Sequence, residues 1–83
     1  MKRIYKEANK SETETTINVL YSEKKLVIYT NKVELEKQLY KILGKPTDEF
    51  IKGRSIIGST WEVPLSEKSK ITQIILKANL FEL

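Results

Sequence analysis

Cysteine and histidine are both missing from this 83-residue chain. Without cysteine there is no disulfide staple and nothing that points to an oxidising compartment, and with both residue types gone the ordinary zinc sites are excluded. Without histidine, general acid–base chemistry near neutral pH loses its usual residue. Aspartate occurs once, as Asp48. Beside Glu49 it makes a pair of adjacent acids in a turn, usually a solvated surface and not a cation site. Serines 55, 59, 66 and 69 have no base to activate them other than lysine. The stretch Gly44-Lys45-Pro46-Thr47 lacks the upstream glycine and the preceding strand of a phosphate-binding loop. An enzyme is therefore not expected, and neither is a cofactor, a metal or a small-molecule substrate. Long apolar runs are also lacking. Nothing approaches a membrane span, and no signal-like run follows Met1-Lys2-Arg3, so the expected location is cytoplasmic.

The remaining composition is that of a small globular domain, 40% hydrophobic and 31% charged. A core of this size is barely sufficient, and a homodimer that shares apolar surface would relieve the shortage. Fifteen basic residues against eleven acidic leave a net charge of +4. That balance permits nucleic-acid binding without requiring it.

Residues 15–44 organise the chain. Residues 16–21 are β-branched and aromatic, with Ile17, Val19 and Tyr21 on one face and Thr16, Asn18 and Leu20 on the other. Four polar residues, Ser22 to Lys25, lead into a second strand over residues 26–30. The succession Leu26, Val27, Ile28, Tyr29 is the pattern of a central strand. A helix follows, with Asn31 as its expected N-cap and Glu34 in the capping-box position. Leu35, Leu39, Ile42 and Leu43 form its apolar stripe. Gly44 stops it and Pro46 prevents its resumption.

The second half reads as a looser version of the same unit. Phe50-Ile51 starts a third strand, and Lys52-Gly53-Arg54-Ser55 makes a hairpin turn. Residues 56–63 form a fourth strand that places Ile57, Ser59, Trp61 and Val63 on one face. Gly58 within it signals a bulge or a close backbone approach, and Pro64 ends it. Ser66 is the expected cap of a second helix, with its stripe at Ile71, Ile74, Ile75 and Ala78. Leu80, Phe81 and Leu83 make an apolar tail. A shift of 36 residues lays Leu35, Leu39 and Ile42 on Ile71, Ile75 and Ala78 with poor identity, so the repetition is one of architecture. The expected fold is α+β, ββαββα, a four-stranded mostly antiparallel sheet with two helices packed on one face. It comprises residues 15–83 as a single compact domain, with residues 1–14 as a flexible or partly ordered arm. That arm is polar and basic, and it reads as a frayed tail, as a basic arm for a phosphate backbone, or as a short edge strand around Arg3 to Lys6.

Trp61 fits a core anchor better than a base-stacking platform. The candidate contact residues are Arg3 and Lys6 in the arm, Lys24 and Lys25 at the first turn, and Lys52 and Arg54 at the second. In the expected topology the two turns share one end of the sheet. The function expected is a small non-catalytic binding or regulatory module. It would act on a protein partner or on itself, in the manner of a phage or bacterial accessory protein of this size. The alternative is a small nucleic-acid-binding protein that grips phosphates with its lysine and arginine turns and its basic arm.

Overall fold

The computed structural model describes residues 3–67, 69, 70 and 72. Four strands and one α-helix follow in the order β1 (Thr15–Leu20), β2 (Lys25–Thr30), α1 (Val33–Leu43), β3 (Asp48–Lys52) and β4 (Ser55–Pro64). A short 3₁₀ turn, Lys10–Glu12, precedes β1. The sheet is antiparallel throughout, in the order β1-β2-β4-β3.

The hairpins formed as the residue types dictate. Turn residues 21–24 close the first, with the Lys24 amide donating to the Tyr21 carbonyl. Lys24 takes the positive φ of 53° that a tight reversal needs. Gly53 does the same at the second, at φ 63°. β2 is central, as its unbroken apolar run required. Leu26, Ile28 and Thr30 are buried on the helix face, while Val27 and Tyr29 are half-buried on the other.

α1 covers the middle of one face. Leu35 and Leu39 pack with Leu26, Ile28, Trp61 and Val63 into a single apolar cluster, flanked by Tyr40, Ile42, Leu43 and Leu65. Trp61 is a core residue, and its indole Nε1–H donates to the Gly44 carbonyl at 2.9 Å. That bond meets the demand of a buried indole for a partner. Gly44, at φ 81°, ends the helix, and its amide donates to the Tyr40 carbonyl.

The expected ββαββα architecture with two helices is corrected to a four-stranded antiparallel sheet with one helix among the described residues. β4 runs to Pro64, beyond which the Leu65 amide still donates to the Lys24 carbonyl at 2.9 Å and Glu67 bonds back to the Pro64 carbonyl in a turn. The stripe expected of the second helix, Ile71, Ile74, Ile75 and Ala78, and the tail at Leu80 to Leu83 lie outside the described residues. On the face that α1 covers, Ile17 and Val19 are 38% and 39% exposed.

Two local expectations also change. Asn31 does not cap α1. Helix entry comes one residue later, at Lys32, with no side-chain cap from that residue. Asn31 faces the arm instead: its Oδ1 accepts from the Glu14 amide at 2.8 Å and its Nδ2 donates to the Glu12 carbonyl at 2.9 Å. The first-turn amide of Val33 is satisfied from a distance in sequence, by the Glu7 carboxylate at 3.1 Å. A negative group there also suits the helix dipole. In β4, Ile57 does not share the face of Trp61 and Val63. The register runs Phe50 to Gly58 and then Ile51 to Ile56, so Ile57 is the extra residue of a bulge and Ile56 is buried in its stead. A Cβ on Gly58 would stand 2.8 Å from the Tyr29 hydroxyl. That bare backbone is what lets the Tyr29 ring cross it to meet Phe50 edge-on at 5.7 Å.

Candidate functional site at the arm and second hairpin

The sheet order separates the two hairpin turns. β2 and β4 are antiparallel neighbours, with Lys25 opposite Pro64 and Thr30 opposite Ser59. The first turn therefore lies at the carboxyl end of β4, and the second lies at its amino end. At about 3.3 Å per residue, the ten residues of β4 hold the turns roughly 30 Å apart. The expectation of one shared positive end fails, because the strand between the two turns is a single pass of the same ladder.

At the first turn, Lys25 is neutralised. Its ammonium lies 2.8 Å from Glu62 and 3.5 Å from Glu23. The hydrogen bond to Glu62 is the main reason that its pKa lies above the usual lysine value. Lys24 is exposed beside it, and the open cleft there is lined by Glu23, Lys24, Lys25, Glu62 and Pro64.

At the other end the arm joins the second hairpin. β2 stops pairing with β4 at Ser59, and the arm takes the vacated place. Tyr5 bridges Ile56 in parallel, the Ile56 amide donates to the Ile4 carbonyl at 2.7 Å, and the Lys6 amide donates to the Ile56 carbonyl at 3.0 Å. Residues 3–6 are thus held against β4 by a single isolated bridge at Tyr5 and form no strand. The Arg3 guanidinium is paired with Glu49, donates through Nε to the Tyr5 hydroxyl at 2.9 Å, and lies 4.4 Å from the centre of the Tyr40 ring. That placement uses the planar cation's ability to pair and stack together.

Two clefts flank the arm. One is lined by Arg3, Ile4, Tyr40, Lys45, Glu49, Ile51, Arg54 and Ile56. The other includes Lys6, Glu7, Glu12, Tyr29, Asn31, Lys52 and Ile57. The structure therefore brings Arg3 and Arg54 together, and Lys6 and Lys52 together, at one end. Lys24 and Lys25 stand apart. Lys6, Lys45, Lys52 and Arg54 make no ion pair among the described residues, while Arg3 is committed to Glu49.

Sequence reasoning passed over Lys45, Ile4 and Ile51 as site residues, and also Glu36 beneath the site. Ile4 and Ile51 are 52% and 62% exposed. Glu36 is fully buried, accepts from the Ser59 hydroxyl at 2.9 Å through Oε1, and has no hydrogen-bond partner for Oε2 among the described residues. Burial raises its pKa to about 7, against the opposing pull of the Ser59 bond and of Arg3. Its position was legible in the stripe: Glu36 follows Leu35 and precedes Tyr40 by one turn, on the flank of the apolar face.

Among the described residues, no group of three or more acidic side chains is placed to hold a metal, and no helix is long and apolar enough to cross a membrane. Comparison with known proteins finds no matching family model, no matching curated protein and no matching solved structure.

Proposed function

We propose that the chain is a non-catalytic binding module acting through protein–protein contacts, with the arm and second hairpin as its contact surface. One observation carries this reading. The aliphatic side chains of Ile4 and Ile51 lie exposed among Arg3, Lys45 and Arg54, around the Tyr40 ring. Arginine and aromatic anchors beside aliphatic surface make the composition of a protein interface core. Aliphatic groups gain nothing from a phosphate backbone. A partner segment that carries both acidic and apolar side chains satisfies all of these groups at once.

The test is affinity capture from the native cell with the wild-type chain and with the Ile51→Asp, Arg54→Glu variant, then titration of the purified binder. A protein that binds the wild type and loses at least about tenfold in affinity to the variant is the expected result. Equal binding of both chains would remove the surface from consideration.

A second reading is kept because Lys6 and Lys52 line the cleft on the arm's other side. It makes this end a grip for nucleic acid. Fluorescence anisotropy with labelled DNA and RNA at two salt concentrations decides it, since phosphate contacts weaken steeply as salt rises. No binding at low salt eliminates it.

A further inference from the structure

The sheet has two outer strands, and they are built differently. β3, Asp48–Lys52, carries three charged residues in five and lies against a bulge. Charges and bulges are the usual means by which an edge strand is kept from pairing with another chain. β1, Thr15–Leu20, has the sequence TTINVL, without charge, proline or glycine, and its register with β2 is unbroken. No strand lies along its outer side among the described residues.

We infer that β1 is a self-association edge, pairing antiparallel with β1 of a second copy about a two-fold axis through Asn18. The choice of occupant follows from charge and from symmetry. A chain of net charge +4 repels its own copies, so a neutral strip is where two copies approach at least electrostatic cost. A two-fold axis normal to the sheet keeps the helix faces together and places side chains of one face opposite each other. Centred on Asn18, it sets Ile17 against Val19 of the other copy, and Val19 against Ile17. Both are on the helix face and both are part-exposed in the single chain. Tyr21, 79% exposed, then reaches across Thr15 of the other copy. On the opposite face Asn18 meets itself, and a primary amide is self-complementary because it both donates and accepts. The result is one continuous eight-stranded sheet.

Sedimentation of the purified full chain from about 1 µM to about 1 mM, the range over which modest interfaces populate, tests the inference. A concentration-dependent dimer is expected. Asn18→Lys places two like charges directly opposite each other and weakens self-association by at least about tenfold, while circular dichroism stays that of the wild type because Asn18 is exposed. Mixing Asn18→Lys with Asn18→Asp restores a dimer as a heterodimer. The Ile51→Asp, Arg54→Glu variant remains dimeric, which separates this surface from the one at the arm. A wild type that stays monomeric throughout overturns the inference. So does a dimer that tolerates Asn18→Lys, or one that Ile51→Asp, Arg54→Glu abolishes.

Discussion

α1 buries two regions that differ in chemistry. Leu39 and Glu36 are less than one turn apart, and neither is accessible to solvent. Leu39 faces an apolar cluster in which every neighbour gains from its presence. Glu36 faces Ser59, with Arg3 and Glu49 nearby and Glu7 adding a further negative charge. The first region stabilises by exclusion of water, whatever the pH. The second region stabilises in a way that depends on a proton. The candidate site sits over the second.

The comparison is broken most severely by Leu39→Ala. The substitution removes a fully buried side chain from the apolar region and should cost about 2–5 kcal/mol, read from urea unfolding. The loss should be the same at pH 5 and pH 8. A loss that varies with pH would mean the two regions are not separable.

The next effect belongs to Glu36. Its pKa is raised in the folded chain from 4.5 to about 7, so the folded state binds the proton more tightly than the unfolded state does. Stability is therefore highest below pH 4.5 as far as this group is concerned. It falls as pH rises through the interval to about 7, and stays reduced above. The full span is on the order of 3 kcal/mol, less to the degree that solvent at the arm's open flank screens the charge. Glu36→Gln keeps the acceptor for Ser59 and removes the charge, so it should flatten this part of the profile and raise stability at pH 8. Parallel wild-type and variant profiles would exclude Glu36 as the group responsible.

The smallest effect is expected at the far end of β4. Lys25→Ala deletes an exposed pair with Glu62 and should leave the unfolding midpoint unchanged within error. A clear shift would show that the first hairpin depends on that pair, and would weaken the contrast between the two ends of the sheet.

What was legible in the residues was local. The alternation in β1, the apolar run of β2, the stripe and glycine stop of α1, and the warning in Gly58 all concern neighbours along the chain. What was not legible depended on distant partners. Asn31 has the chemistry of a cap, but Glu14 and Glu12 offer it backbone groups, and Glu7 supplies the helix amide that it leaves. The placement of the turns rested on which strand becomes β2's second neighbour. Once β4 holds that place, Lys24 and Lys25 are separated from Lys52 and Arg54. Simple alternation puts Ile57 on the wrong face because a bulge shifts the period by one, and the residues do not mark on which side of the glycine the slip occurs. Of the candidate site, the cations of the arm and second turn were visible as charges. Their meeting was not, since it requires the arm to lie beside Ile56.

The bridge between Tyr5 and Ile56 has a kinetic corollary. Each hairpin closes over a few residues, whereas this contact spans most of the chain, and its docking groove exists only after β2 and β4 have zipped together. Loop closure over such distances is slow compared with hairpin formation. The amino-terminal segment should thus dock late in refolding, after the tryptophan signal from Trp61 has settled, and amide exchange at Lys6 should be faster than in the central ladder.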